Sequence, residues 1–363
     1  MLSVISINEA KKWDEIVKSF RNFDVYYLSG YTKAFHIHGD GEPLLFYYED
    51  QCIRAINVVM KRDIERDENF LGEIPQRSYF DLVTPYGYGG FLIEGDTSAS
   101  SLQSLKEAYH SYCRSNGIIS EFVRFHPILK NDQNAASLYD VLQVGKTISI
   151  DLDCPEQIWN ELTGKNRNVI RKAKKLGVEI YWGRNPELFD QFIDLYNATM
   201  DKDNADDYYY FGEEFYHSVL EDLKYHSYLF YAMFQGEIIA MSIILACNQQ
   251  LHYHLSASDR EYQSYAATNL LLYEAACWGA ENGYTTFHLG GGLGGKEDSL
   301  YKFKKAFNKH SANTFSIGRK VFDEQKYTEL MGIRSADDEF DLETTFFPQY
   351  RAKKPVAKTA LKS

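Results

Sequence analysis

The chain has 363 residues, a net charge of −12 and 15% aromatic residues. This length suffices for two domains with cores of their own, and the acidic charge argues against general nucleic-acid binding. The five cysteines lack CxxC spacing, which indicates free thiols and neither a disulfide framework nor a zinc site. The N-terminus has no secretory pattern and no apolar window is long enough to span a bilayer, so we expect a soluble, cytoplasmic protein.

Two pairs of segments share a pattern, which predicts a duplicated α/β module. Residues 44–62 and 228–248 each predict a β-hairpin, with an apolar-aromatic strand, a polar turn and a longer apolar strand. Residues 102–127 and 269–291 each predict a helix with apolar i, i+3, i+4 spacing, an Asn-Gly end and a buried strand that ends near a histidine. The same order of elements twice indicates that one unit was repeated.

The position of these elements sets the predicted domain bounds. A new strand and helix begin near residues 145–155, so we place a first domain at 1–148 and a second at 149–326. Residues 350–363 are basic and rich in proline and alanine, and we expect them to form a flexible tail.

The segment DLVTPYGYGGFLI, residues 81–93, combines one proline with three glycines. These residues predict a kinked backbone from which Tyr86 and Tyr88 project. The two rings are candidates for the lining of an acceptor pocket, although an ordinary turn between strands uses the same residue types.

A basic helix is predicted at residues 165–180, where six of the first eleven residues are Lys or Arg. Arg167, Arg171 and Lys174 fall on one helical stripe, and apolar residues fill the opposite side. A solvated face is the simpler interpretation. However, such faces usually mix charges of both signs, and the absence of acids here favours a site for phosphate groups.

Two constellations that suggest metal binding do not satisfy its requirements. The acidic run at residues 201–214 has Ala205 where an EF-hand needs an oxygen ligand. His252 and His254 share one face of a predicted strand and His288 ends another, but no carboxylate has the spacing of a fourth ligand. We therefore predict no metal; the histidines are either packed in the core or include a general base.

The most informative segment holds five glycines within residues 290–295, followed by Lys296, Lys302, Lys304 and Lys305. Glycine lets a backbone approach a ligand closely, and amides with nearby lysines favour anions. The segment contains neither GxxxxGK[ST] nor GxGxxG with its acidic partner, so nucleotide folds of those two kinds are unsupported.

Taken with residues 81–93 and the basic helix, the LGG and YKFKKAF motifs resemble the FemAB-type aminoacyltransferases and their acyltransferase relatives, a branch of the GNAT superfamily. The resemblance implies a mixed α/β (α+β) fold of two tandem GNAT-like domains, the first completed by about residues 327–347. No heptad segment is present, so we expect no coiled-coil arm.

The resemblance also implies roles for residues. Lys304 and Phe303 align with the pair that acts at the transferred acyl group, and His254 is our candidate base. The predicted substrate-binding residues are Lys33, Tyr86, Tyr88, Arg167, Arg171, Lys174, Tyr209, Gly290, Gly291, Gly292 and Lys302.

The implied reaction forms an amide on an amine of a cell-envelope precursor, either a peptidoglycan stem peptide or an amino sugar linked to a lipid or nucleotide. We expect aminoacyl-tRNA as donor, because QSYAAT has Ala266 and Thr268 where CoA-dependent relatives carry glycine. An acyl-CoA donor and a non-catalytic binding protein are the alternatives. We expect no tightly bound cofactor; tRNA is a candidate partner, while contact with a membrane surface and the oligomeric state stay open.

Overall fold

The structure is a computed structural model that describes residues 1–354. Its strands are β1 (Leu2–Ser6), β2 (Glu42–Glu49), β3 (Ile53–Asp63), β4 (Phe80–Val83), β5 (Leu92–Gly95), β6 (Ile118–Arg124), β7 (Asp140–Asp151), β8 (Glu179–Gly183), β9 (Ser227–Phe234), β10 (Glu237–Cys247), β11 (Gln250–Ser258), β12 (Thr286–Gly290) and β13 (Asn313–Val321). Its helices are α1 (Ala10–Ser19), α2 (Ser29–His38), α3 (Ala99–Ser115), α4 (Pro155–Glu161), α5 (Gly164–Leu176), α6 (Pro186–Asp203), α7 (Glu213–Asp222), α8 (Ala267–Glu281), α9 (Ser299–Lys305) and α10 (Glu324–Ser335).

One mixed sheet runs through the fold in the order β1-β2-β3-β4-β6-β13-β7-β12-β11-β10-β9-β8, with β5 beside β3. The first half of the chain supplies β1 to β6, and the second half supplies β8 to β12. The long strand β7 joins them, since residues 140–147 pair with β13 and residues 148–151 pair with β12. Backbone hydrogen bonds therefore continue from one half into the other.

The predicted duplication is confirmed. The two hairpins are β2–β3 and β9–β10, and the two helix–strand units are α3–β6 and α8–β12. Each half has a parallel strand pair at the matching place, β4–β6 in the first and β11–β12 in the second. The fold is mixed α/β, and no helix within residues 1–354 is longer than the 18 residues of α6, so this part of the chain has no coiled-coil arm.

Strand β10 shows why the sequence of the second half contains a continuous apolar run. Met241, Ile243 and Leu245 pack on one face of the sheet, and Ile244 and Ala246 pack on the other. Successive side chains of a strand point to opposite faces, so a strand that is covered on both sides must be apolar at nearly every position.

The two halves also share a helix contact. Helix α2 of the first half packs against α7 of the second, and the rings of Phe35 and Phe215 lie 5.1 Å apart, edge to face. The approach is close at Gly30, where a Cβ atom would lie 2.6 Å from the backbone oxygen of Asp222. A side chain at this position would push the two helices apart.

The chain after the second half packs against the first half. Leu330 of α10 and Tyr350 form a buried cluster with Ile64 and Phe70. The prediction of a flexible tail is wrong at its first residues, because Tyr350 is fully buried and Arg351 pairs with Asp81. Residues 355–363 of the predicted tail lie outside the described part of the chain.

Among the described residues, none of the helices is both long and apolar enough to cross a membrane.

The contact at Gly30 leads to a stability prediction. Gly30→Ala lowers the free energy of unfolding by about 1–3 kcal/mol, because the added methyl group overpacks the α2–α7 contact. Gly332→Ala in α10 is the matched control: its Cβ meets no atom within 4 Å, and alanine favours a helix by about 0.5–1 kcal/mol over glycine. Urea denaturation of both variants tests this, and equal effects would contradict the packing argument.

Candidate functional site

The parallel pair β11–β12 separates in the middle of the sheet. The two strands are paired only from Gln250 to His252, after which β11 continues to Ser258 while β12 pairs with β7 at Gly290. A pocket of 630 Å³ opens at the place where they diverge. Ligand sites are usually concave spaces of this size at such breaks in a sheet.

In the first half, side chains fill the space beside the matching strand β6. The carboxylate of Glu121 accepts hydrogen bonds from Asn57 (2.9 Å), Tyr109 (3.0 Å) and Tyr139 (2.9 Å), and Phe91 packs edge to face on Tyr109. Burial raises the pKa of Glu121 to about 7. The two modules have therefore diverged, and the splay of the second half is the candidate site.

Several parts of the second half and one residue of the first line this pocket. They are β11, the end of α6, one residue of β10, the loop before α8, the start of α8, and α9, together with Tyr86 of the first half. The lining residues include Tyr86, Lys202, Tyr253, His254, Ala266, Thr268, Phe303 and Lys304.

Lys304 places a buried cation at the pocket. Its side chain is 8% exposed, and Nζ donates a hydrogen bond of 2.7 Å to the backbone oxygen of Gly291. Burial lowers the pKa of Lys304 to about 8, although the Asp298 carboxylate opposes the shift. A desolvated ammonium with no ion-pair partner among the described residues is suited to stabilise negative charge that develops on a substrate.

The glycine loop allows this placement. Gly290 has a φ of +77°, and a Cβ atom there would lie 3.2 Å from Lys304 Nζ. Asp298 caps α9 by accepting from Tyr301 N (2.8 Å) and also accepts from Leu293 N (2.9 Å). A Cβ at Gly292 would lie 2.1 Å from the Lys296 backbone oxygen, so the loop is folded tightly around these bonds. Gly290, Gly291 and Gly292 therefore shape the lysine's surroundings.

The other predicted residues of this segment differ in position. Phe303 is half-buried and lines the pocket, with its ring 5.5 Å from that of Phe307. Lys302 is exposed on the outer side of α9 and is not among the lining residues. Lys305 donates to the backbone oxygen of Ser311, so its ammonium is engaged in the structure.

His254 lines the pocket, but its chemistry does not suit a base. Its ring lies among those of Tyr31, Phe35 and Tyr86, 5.8–6.2 Å away. Burial, followed by the nearby His252, lowers the pKa of His254 to about 3. An imidazole with this pKa stays neutral but is a weak proton acceptor, so the predicted role as general base loses its physical support.

A buried charge network that no sequence pattern indicates links the two halves. The Asp24 carboxylate is fully buried, and its Oδ2 accepts hydrogen bonds of 2.8 Å from Nε2 of both His126 and His252. Burial raises the pKa of Asp24, but the two histidines outweigh this effect and hold the pKa below its usual value. Asp24 and His126 belong to the first half and His252 to the second, so the network links both.

This network resembles a metal site but does not fit one. The three ligand atoms lie within 4.8 Å of one another. However, Nδ1 of His126 accepts from the backbone amides of Ile128 (3.3 Å) and Leu129 (3.2 Å), so the proton must lie on Nε2, the atom that faces Asp24. A cation at that nitrogen would require an imidazolate, and we therefore interpret the cluster as a hydrogen-bond network.

The predicted aromatic residues lie at the junction of the halves. Tyr86 stacks on Phe35 with ring centroids 5.5 Å apart, and the Tyr209 ring is 6.5 Å away. Tyr88 packs on His288 at 5.2 Å and does not line the pocket. Only Tyr86 among the three thus reaches the pocket wall.

Lys33 lies on α2 and pairs with Asp222 of α7 at 2.8 Å, away from the pocket lining. It links the two halves at the α2–α7 contact. Because Lys33 forms this ion pair and does not line the pocket, its predicted role in substrate binding has no geometric support.

The basic helix α5 uses its charges within the protein. Arg167 Nη1 donates to the backbone oxygen of Leu162 (2.8 Å) at the end of α4, and Arg171 lies 5.0 Å from the centre of the Trp159 ring. Lys174 pairs with Glu274 of α8 at 2.7 Å. None of the three lines the pocket, so the prediction that this stripe binds substrate phosphates has no geometric support.

The loop before α8 opens into the pocket. Ala266 has a φ of +55°, a left-handed conformation that costs a non-glycine residue about 1 kcal/mol. Its backbone oxygen accepts from Asn269 N (3.1 Å) as the helix begins. The amides of Ala267 and Thr268, which come before Asn269, donate no such backbone bond, so they are available to an anion despite the absence of glycine.

Three buried histidines lead to a pH prediction. Burial lowers the pKa of His126, His254 and His288 below the ordinary value of about 6.5. The unfolded chain binds protons below about pH 6.5 and the folded chain does not, so stability falls as the pH decreases from there, by up to about 1.4 kcal/mol per pH unit for each histidine.

Urea denaturation at pH 7.5, 6.5 and 5.5 gives the free energy of unfolding as a function of pH. His288→Asn makes this pH dependence less steep, whereas His310→Asn, at a side chain that is 73% exposed, does not change it. Equal slopes in the two variants would show that burial of His288 is not the cause.

Comparison with known proteins agrees with this geometry. Residues 164–305 match the family described as the acetyltransferase (GNAT) domain. A crystal structure of FemX superposes with a TM-score of 0.66 at 15% identity, covering 91% of this chain and 99% of that chain. The C-terminal domain of a protein assigned as a lysylphosphatidylglycerol synthetase from Agrobacterium fabrum gives 0.56 at 12% identity, over 91% and 96%.

A conserved protein of unknown function from Bacteroides thetaiotaomicron gives a TM-score of 0.55 at 13% identity, covering 88% of this chain and all of that chain. No curated protein sequence matches significantly. The predicted GNAT-like fold is thus confirmed: residues 164–305 match the acetyltransferase (GNAT) domain model, and the chain as a whole has the fold of FemX.

Proposed function

We propose that the protein transfers an aminoacyl or acyl group to an amine of a cell-envelope precursor and forms an amide, with Lys304 at the reacting carbonyl. The observation that carries this proposal is the Lys304 ammonium, buried at the splay of β11 and β12 and held by the Gly291 backbone oxygen. Acyl transfer needs positive charge at the place where an oxyanion forms, and the Lys304 ammonium can supply that charge.

The reaction proceeds by attack of a neutral amine on the carbonyl carbon of the donor ester or thioester. The carbonyl π electrons move to oxygen, and the resulting oxyanion lies against Lys304 Nζ. Its collapse forms the amide and expels the alkoxide or thiolate, which takes up the proton that the amine loses. No strong base is required of the protein, which agrees with the low pKa of His254.

The acceptor lies between the two halves in this proposal. Tyr86 of the first half forms part of the pocket wall, and Tyr208 and Tyr209 extend the same aromatic surface, with rings 6.1 and 6.5 Å from that of Tyr86. Tyrosine rings offer a flat apolar face with a polar edge, which suits the sugar or peptide part of an envelope precursor.

Aminoacyl-tRNA is the proposed donor. One structural relative is named as a domain of a lysylphosphatidylglycerol synthetase, and the name FemX agrees with the FemAB-type family that the sequence motifs resemble. Lys302 is exposed on the outer side of α9, next in the chain to the lining residues Phe303 and Lys304, and supplies positive charge for a phosphate backbone outside the pocket.

One observation favours acyl-CoA as a second candidate. Ala266 keeps a left-handed conformation at the start of α8, and the loop opens into the pocket. A left-handed alanine is less stable than an ordinary turn would be. Its presence beside a pocket therefore suggests that the loop conformation serves binding. The amides of this turn suit a pyrophosphate.

The role of Lys304 leads to a kinetic prediction. Lys304→Met lowers kcat by roughly 10²–10³-fold, because one donor to the oxyanion is lost. The lysine must be protonated and its pKa is about 8, so kcat of the wild type falls as the pH rises through that value. Lys304→Arg retains charge at high pH, and its activity does not decline there.

The test measures kcat with aminoacyl-tRNA as donor and an amine acceptor between pH 6 and 10. Lys305→Met is the matched control, a neighbouring lysine whose ammonium binds Ser311. Equal losses in the two methionine variants would remove Lys304 from the reaction.

The choice of donor leads to a binding prediction. Calorimetry with charged tRNA gives an affinity that decreases with salt, and Lys302→Gln lowers the slope of log K against log salt by about one, because one phosphate contact is lost. Acetyl-CoA gives no binding heat. Micromolar binding of acetyl-CoA that disappears in Ala266→Glu, where a carboxylate repels pyrophosphate, would establish the second candidate instead.

A further inference from the structure

A second pocket lies where β13, α10 and the residues after it pack against the first half. It is separate from the pocket at the splay of β11 and β12, which is called the transfer pocket below. It has a volume of 540 Å³ and is bounded by α3, β13, α10 and residues 344–349. The two pockets share no lining residue. Nothing in the proposed transfer reaction uses this space.

Two lysines make this pocket positively charged. Lys106 of α3 and Lys320 of β13 line it, both are half-buried, and neither forms an ion pair or side-chain hydrogen bond within residues 1–354. Burial, followed by the charge of Lys106, lowers the pKa of Lys320, and Glu324 opposes the shift. Glu324 also lines the pocket, but it forms an ion pair with neither lysine within residues 1–354. In a chain with a net charge of −12, two half-buried lysines that repel each other and have no ion-pair partner indicate that an anion completes the site.

The neighbouring charges do not neutralise the lysines. Asp140, which also lines the pocket, is occupied by Arg319, whose Nε donates to it at 3.1 Å. Arg114 follows Lys106 two turns later on α3 and extends the positive surface, and His110 lies one turn after Lys106, between them. The pKa of His110 is lowered by burial and then by Lys320, Arg114 and Lys106, so these groups repel one another.

Aromatic rings also line the pocket. The rings of Tyr327 and Phe347 stack at 6.1 Å with an angle of 18° between their planes. Phe346 lines the same pocket and is 54% exposed, unusually open for a phenylalanine. An exposed ring in a pocket that also contains two lysines provides an apolar surface for a flat group that carries negative charge.

We propose that this pocket binds a small molecule with a phosphate group and a flat ring, such as a nucleotide. The phosphate lies between Lys106 and Lys320, where its double negative charge relieves their repulsion, and the ring lies against Phe346. A concave space enclosed on several sides by side chains fits a small ligand better than a nucleic-acid strand, which needs an extended surface. This site goes beyond the acyl transfer reaction.

Calorimetry with ADP tests the proposal. ADP binds the wild type, and the double variant K106Q/K320Q weakens binding by roughly tenfold or more, since two charge-assisted contacts are lost. The matched control is K11Q/K224Q, which removes the same charge at two exposed lysines elsewhere and keeps the wild-type affinity. Phe346→Ala weakens ADP but leaves inorganic pyrophosphate unchanged, which separates the ring contact from the phosphate contact.

Lys304→Met distinguishes the two pockets, because binding of ADP at the second pocket is unaffected by this change. The proposal is overturned if ADP does not bind, or if K106Q/K320Q and K11Q/K224Q weaken it equally. It is also overturned if only Lys304→Met reduces the affinity, which would place the nucleotide in the transfer pocket. Binding of a short RNA without binding of ADP would replace the small ligand by a polyanion.

Discussion

The buried carboxylate of Asp24 is the constraint on which the junction of the two halves depends. A charge taken out of water is stable only if hydrogen bonds compensate it, and here His126 of the first half, His252 of the second and the Val25 amide provide them. His252 is in the part of β11 that pairs with β12, immediately before the strands diverge. The network therefore holds the two halves together next to the point where β11 and β12 separate.

The two modules share a plan but have different interiors. In the first, Glu121 and its tyrosine partners fill the region beside β6, and the parallel pair β4–β6 supports packing. In the second, the matching region is open and the lysine of α9 reaches it. The first module is thus filled by its own side chains and contributes Tyr86 to the pocket wall, whereas the second module keeps an open pocket.

The sequence predicted those features that depend on local patterns. The hairpins, the helix–strand units and the tight glycine loop follow from alternation, helical spacing and glycine, which act over a few residues. The proximity of Lys304 to Gly291 was also expected, because the loop and α9 are adjacent in the chain.

Features that depend on distant partners were not predicted. Asp24 is 102 residues from His126 and 228 from His252, and no local pattern marks it as a buried charge. The contacts of the α5 stripe could not be predicted, because the partners of Arg167 are backbone oxygens at the end of α4, which a count of charges does not show. Tyr350 was assigned to a tail because its buried site is formed by residues as distant as Ile64 and Phe70. Composition around a residue does not reveal what it packs against.

The path of β7 has a mechanical consequence. Because this strand is bonded to β13 along one part and to β12 along the next, rotating one half against the other would break backbone bonds in the middle of the sheet. A rigid-body rotation that opens the cleft is thus opposed by the continuous sheet. The end of α6 and the short helix α9 border the pocket outside the sheet, so a shift of either one leaves these backbone bonds intact. Shifts of side chains and single helical turns are faster than rotations of whole domains.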